Sequence, residues 1–399
     1  MTDHENISLE ERDLRYAERL AEMIRCRTVS KKDGFEAEEF LKLRQVIETL
    51  FPRMTEAAER TILGKDAYLY KLKGRDEGRN VMVMSHHDVV EAKGTWQEKA
   101  FGGTIRDGKL WGRGTVDTKT PLFAEFTAIE ELLEEGFVFP VNVYLFSSHN
   151  EETGGDGALL ALDYFNEKKI RFDWIIDEGG AVIEPPMAGI DEKKPFIRKL
   201  HPEVRGMFEA MAPHMSFPMG FVFSHLNLFS CLLIKMMPKL NAAAGEMLGT
   251  GCTFRRLSTD EEGNCVGEAF LRCINDADFA KDLATLREIA AKHAVDITVR
   301  DEDNEYYRPA SLESGGYRYI KKTVEESFPY AAAVPFILPA GTDARHFSNL
   351  SDAVIRFAPI DIDKQQYASV HGENENISVD KLHLAVDFYK RLLKNIGTR

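Results

Sequence analysis

Residues Val81–Val90 read V-M-V-M-S-H-H-D-V-V. An apolar run stops abruptly at two histidines and an aspartate. Unbroken apolar strands belong to parallel sheets buried on both faces. Open α/β sheets of that kind take their ligands at the carboxyl ends of the strands. His86 and Asp88 are spaced H-x-D, which suits a metal-ligating imidazole and a carboxylate that orients it. Taken alone, the triplet reads equally as a polar turn after a strand, so the rest of the chain has to decide.

Two further runs repeat the pattern. Val141–Ser148, V-N-V-Y-L-F-S-S, ends in H-N-E-E-T-G-G, and Phe172–Asp177 runs into D-E-G-G. Adjacent carboxylates at a strand end are costly if buried without partners, and a cation removes that cost. Glu151, Glu152 and either Asp177 or Glu178 therefore become candidates. Asp117 lies in W-G-R-G-T-V-D-T-K-T-P, before a helical pattern over Thr118–Glu135, and reads as either a helix cap or a ligand. His371 lies in the late loop Y-A-S-V-H-G-E-N-E-N-I-S. Five ligands of mixed nitrogen and oxygen type suit two zinc-like ions that share one carboxylate. Two ions about 3.5–4 Å apart polarise a carbonyl and activate water, and a spare carboxylate is then required as base.

The chain has 399 residues, 44% of them hydrophobic and 29% charged, with a formal net charge of -14. That length suggests two domains, and the acidity argues against nucleic acid or an anionic membrane as partner. The N-terminus M-T-D-H-E-N-I-S-L-E-E-R has no signal-peptide core, no apolar run is long enough to span a bilayer, and the five cysteines lack C-x-x-C spacing. These features lead us to expect a cytoplasmic protein with free thiols. Apolar spacing predicts a helix over Ser8–Arg25 capped by Ser8, a charged turn at Arg75–Arg79 and a strand at Asp296–Arg300. From about Glu184 the character changes to a linker, followed by a stretch rich in Met and Phe. The expected fold class is α/β: a mostly parallel sheet flanked by helices, formed by residues 1–185 and 303–399, with a smaller α+β domain inserted at 186–302.

At this point the sequence resembles the co-catalytic zinc aminoacylase / carboxypeptidase family, which includes succinyl-diaminopimelate desuccinylase and the glutamate carboxypeptidases. The resemblance rests on S-H-H-D-V-V, G-R-G-T-V-D-T-K, N-E-E-T-G-G, D-E-G-G, G-T-D-A-R-H-F and V-H-G-E-N-E, in the family's order. The D-E-G-G form leans toward carboxypeptidase S and the N-acyl amino acid hydrolases. The resemblance implies a zinc-peptidase-like fold and a hydrolase of a C-terminal peptide bond or N-acyl amide in small substrates with a free carboxylate. It implies two divalent ions, most simply Zn2+, with Co2+ or Mn2+ sharing such ligands. His86 and Glu178 would hold one ion, Glu152 and His371 the other, and Asp117 both. Asp88 would orient His86, and Glu151 would be the general base. The peptide after the bridging aspartate is cis in that family, here Asp117–Thr118. Arg345 matches a position that holds a substrate carboxylate, for which a planar guanidinium is suited.

One segment departs from the pattern. The family's inserted lid carries a K-G strand and a G-G-H-x-S-x-P motif, whose histidine reaches the partner subunit's site. Here the nearest string is A-P-H-M-S-F-P, with His214 at the histidine position and both glycines missing. His214 is therefore either a substrate-side residue or a packing residue of a shortened lid. A homodimer through that lid is implied by the resemblance. A competing reading, a metal-binding protein with little catalysis, rests on the same shortened lid.

Overall fold

The computed structural model describes residues 8–32, 34–183, 197–198, 202–240, 249–259, 265–273, 276–299, 308–336 and 341–397. Its strands, in chain order, are β1 (Glu59–Leu63), β2 (Ala67–Leu72), β3 (Asp76–Met84), β4 (Thr104–Arg106), β5 (Lys109–Trp111), β6 (Val141–Ser147), β7 (Ile175–Asp177), β8 (Ile197–Arg198), β9 (Gly249–Thr259), β10 (Cys265–Arg272), β11 (Val354–Arg356) and β12 (Asn376–Ser378). Two compact units contain them. The first comprises Met1–Pro185, Ala310–Ala331 and Gly341–Arg399, and the second Pro186–Pro309 and Ala332–Ala340.

The first unit is built on a six-stranded sheet of order β1-β2-β6-β3-β7-β11. The pairs β6–β3, β3–β7 and β7–β11 are parallel, and β1–β2 and β2–β6 are antiparallel. Alternation along β3 explains why it reads as an unbroken apolar run. Val81 and Val83 enter one core cluster with Tyr16, Leu122 and Phe388, while Met82 and Met84 enter a second with Phe165 and Phe347. Strand β6 divides in the same way, with Val143 and Leu145 against Tyr144 and Phe146. Helices therefore cover both faces: Leu9–Ile24, Lys119–Glu134 and Leu382–Lys394 on one, Gly157–Glu167 on the other.

Local signals set several of these boundaries. Ser8 caps the first helix, its hydroxyl accepting from Glu11 N at 3.2 Å. Two expectations need correction. Residues 76–79 are the exposed start of β3 rather than a turn, with Asp76 paired to Val141 and a register shift before Asn80. Polar, exposed positions carry no core signal, so the strand looked shorter than it is. Residues 296–299 form no strand; their exposure removes the burial that would select extended pairing.

The second unit contains the three-stranded sheet β10-β9-β8 and the helices Pro202–Met211, Met219–Ser224, Leu226–Leu240 and Asp276–Ala291. Its described core is small, centred on Val204, Met207, Phe208, Phe223, Leu226 and Leu233. The edge strand β8 was not anticipated from the sequence.

Candidate metal centre

Because β3, β6 and β7 run parallel, their carboxyl ends share one edge of the sheet, and the residues that follow are His86, Glu151–Glu152 and Glu178. Asp117 comes from the turn before the helix Lys119–Glu134. Thr118, not Asp117, holds the N-cap position, and the Asp117–Thr118 peptide is cis. The Asp117 carboxylate is thus free of capping and meets two histidines. His86 Nε2 lies 3.0 Å from its Oδ1, and His371 Nε2 lies 3.0 Å from its Oδ2. Glu178 Oε1 is 3.8 Å from His86 Nε2, and Glu152 Oε2 is 2.9 Å from His371 Nε2. Two triads result, His86–Asp117–Glu178 and Asp117–Glu152–His371, each with ligand atoms within 4.8 Å of one another.

The electrostatics fit a pair of cations. Glu152 Oε1 is buried and has no hydrogen-bond partner. Burial, and then the Asp117 charge, push the Glu178 carboxyl well above its ordinary range, with His86 opposing. Hydrogen bonds to Asp117 and Glu152 raise His371 to about 10. For His86, burial opposes protonation, but Asp117 and Asp88 outweigh it and raise the pKa well above the usual imidazole value. Protons on the two imidazoles thus compensate the clustered carboxylates, a task that divalent ions perform with the same donor atoms.

Glu151 lies in neither triad. It starts a 3₁₀ turn, Glu151–Thr153, and burial pushes its carboxyl up to about 8, with Asp343, Asp88 and Glu152 adding and His86 opposing. Two glycines make this turn possible: Gly154 sits at φ 63°, and a Cβ on Gly155 would meet Asn150 Nδ2 at 2.0 Å.

Asp88 does more than the H-x-D spacing conveyed. His86 Nδ1 lies 2.9 Å from the Asp88 carbonyl oxygen and 3.3 Å from its Oδ1. The same buried carboxylate accepts from the backbone N–H of Glu151 at 3.1 Å and of Glu152 at 3.2 Å. The neighbouring His87 turns away, stacking on Tyr68 at 4.3 Å, and burial lowers it to about 3.

Sequence reasoning missed Glu375. Its fully buried carboxylate pairs with Arg113 and accepts from Gly114 N at 3.0 Å, Val116 N at 2.7 Å and Asp117 N at 3.1 Å. It thereby clamps the Asp117 turn to the loop that carries His371, whose own φ of 58° lies in the left-handed region. A usable signal was present, since an arginine in G-R-G-T and a glutamate in H-G-E-N-E are natural partners.

Neither Arg345 nor His214 is a member of the two triads. Arg345 is half-buried in the 3₁₀ turn Asp343–Phe347, where its Nη1 donates to the Thr342 carbonyl at 3.3 Å. His214 ends a 3₁₀ turn of the second unit and is exposed, so it is not a packing residue.

Residues 82–395 match the peptidase family M20/M25/M40. The chain belongs to this family. Among similar M20 proteins, a probable carboxypeptidase S-like protein of Dictyostelium discoideum is 26% identical, aligning 96% of this chain with 85% of its own length. An N-fatty-acyl-amino acid synthase/hydrolase of Xenopus tropicalis is 24% identical, aligning 89% of this chain with 80% of its own. In fold the chain is similar to an M20 metallo-carboxypeptidase of Sulfolobus solfataricus, with a TM-score of 0.65, 17% identity, and 95% of this chain and 98% of that one covered. It also resembles a dinuclear metal binding M20 peptidase of Bacillus subtilis, with a TM-score of 0.55, 13% identity, and 96% and 99% covered. This M20 protein is a metal-dependent hydrolase of peptide or amide bonds, served by two metal ions. No described helix is long and apolar enough to cross a membrane.

Proposed function

We propose that this M20 protein cleaves the C-terminal peptide bond or the N-acyl amide of a small substrate that carries a free carboxylate. The observation that carries the reading is the Asp117 carboxylate, whose two oxygens face different histidines. His86 and Glu178 would hold one ion, Glu152 and His371 the other, and Asp117 both. Bound there, the ions supply Lewis acidity at the scissile carbonyl and acidify water. Glu151 takes the proton of the attacking water and returns it to the leaving amine. Its raised pKa of about 8 reflects a buried carboxyl held beside other acids. Asp88 fixes His86 and the Glu151–Glu152 turn together. Arg345 holds the substrate carboxylate.

Zinc is the metal we propose, since two imidazoles and three carboxylates suit it, while cobalt and manganese accept the same donors. Five free cysteines support the reducing cytoplasm as its compartment. The second unit is proposed as the family's inserted lid, approximately residues 186–302, and as the surface for a homodimer.

The test is a panel of dipeptides and N-acyl amino acids, each beside its C-terminal carboxamide, run with metal analysis of the same sample. Turnover of the acids by protein carrying two equivalents of metal is expected. Fully loaded protein that hydrolyses none of the panel would leave a metal-binding protein without this activity.

A further inference from the structure

Arg356 is the last residue of β11, and parallel pairing sets it opposite Asp177, the last residue of β7. A guanidinium therefore stands at the same sheet edge from which Glu178 departs. It is half-buried, and its Nε donates to Thr342 Oγ1 at 2.9 Å. The Thr342 hydroxyl donates in turn to Asp177, and Asp177 Oδ2 also accepts from Ala344 N at 3.1 Å. Thr342 thus joins both arginines, since its carbonyl accepts from Arg345 Nη1.

The charges of this cluster are not balanced from within. Burial lowers the Arg356 pKa, Asp177 and Glu178 oppose that, and the Arg345 charge adds to the lowering. Among the described residues, neither arginine has a carboxylate within ion-pair distance. The hydrogen bonds of Asp177 go to Thr342, Ala344 and the Glu178 backbone, and the Glu178 carboxylate belongs to a metal triad. Two neighbouring guanidiniums are unfavourable alone and become favourable when an anion joins them. Arg356 stands at the sheet edge from which the proposed ligand Glu178 departs.

We infer that Arg356 is a second holder of the substrate's free carboxylate, beside Arg345, and that it sets the preference for an acid over its amide. Resting on the proposed function, this inference names a specificity residue for that same reaction. The Asp177–Thr342 pair acts as a positioning element by fixing the plane of the Arg356 fork.

The experiment compares kcat/KM for an N-acyl amino acid with that for its carboxamide, in wild type and in Arg356→Gln and Arg356→Lys. Calorimetric binding of the acid product is the second readout. A hydrogen bond to a charged group is worth about 1.5–3 kcal/mol, or roughly a ten- to hundredfold factor. Arg356→Gln should therefore lower the acid-to-amide ratio by about ten- to hundredfold and weaken product binding similarly. Arg356→Lys should recover only part, because a point charge lacks the fork. The ratio is internal to each variant, so a merely structural loss moves both substrates together and leaves it unchanged; that result overturns the inference. Failure of both variants to fold would likewise assign Arg356 to structure and overturn it. If wild type itself shows no preference for the acid, the fault lies in the proposed function instead.

Discussion

The two triads of the candidate centre share one carboxylate but differ in access. The His86 side chain is 1% exposed and that of Glu178 14%. His371, in contrast, is 53% exposed and borders an open cleft of about 470 Å³ lined partly by Lys31, Lys32 and Lys93. The inner triad is made by strand ends inside the sheet edge, the outer one by a turn and a late loop. Rigid elements position ligands more closely than loops do, so the inner ion should be held firmly and the outer one should exchange.

The largest expected effect removes the difference altogether. Asp117→Ala should lose both ions and all measurable turnover, as read by metal analysis after dialysis. Retention of one full equivalent would make the triads independent. Next, Glu151→Gln should keep both ions and lose about 10²–10⁴-fold in kcat, the usual cost of a missing general base. Normal turnover in that variant would remove Glu151 from the mechanism. Asp88→Asn perturbs both triads from beneath, and a loss of about 10–100-fold in metal affinity or activity is expected, as for other groups that orient ligands. An effect on only one ion would show that its bonds to Glu151 and Glu152 are incidental.

pH acts on both triads, since the pKa values of His86 and His371 are both raised without ions, and access then decides which ion leaves first. His371 ligates only as the neutral imidazole, and its pKa without ions is raised to about 10. Lowering the pH below that value favours the proton over the metal, so the affinity of the outer ion should fall by about tenfold per pH unit. Chelation kinetics should then show one equivalent leaving first, faster in acid. Loss of both in a single phase would contradict the contrast in access. The smallest effect is expected at His214. Exposed as it is, His214→Ala should leave kcat within a few fold and stability within about 0.5 kcal/mol. A large loss of kcat with unchanged metal and melting temperature would bring His214 to the reaction.

How legible these features were depended on what each residue contacts. Strands β3 and β6 could be read because burial on both faces leaves an unbroken apolar run. The exposed first half of β3 left no such trace. His86, Glu151, Glu152 and Glu178 stood out because acids and imidazoles right after buried strands are otherwise costly. Asp117 stayed ambiguous with a helix cap until Thr118 was seen in that position. The bonds from Asp88 to two backbone amides, and the turning away of His87, depend on backbone direction, which spacing does not encode. Glu375 escaped notice because its partners lie 258 to 262 residues away.

That last separation bears on how the enzyme is made. During synthesis the Asp117 turn leaves the ribosome long before Glu375 exists. At about 5–20 residues per second, the delay is on the order of 10–50 s. For most of that interval the nascent chain already carries His86, Asp117, Glu152 and Glu178, without the anchor that fixes the shared carboxylate. Catalysis is thereby tied to completion of the chain: a message truncated between Glu178 and Glu375 yields a product that contains most of the ligands and no finished site.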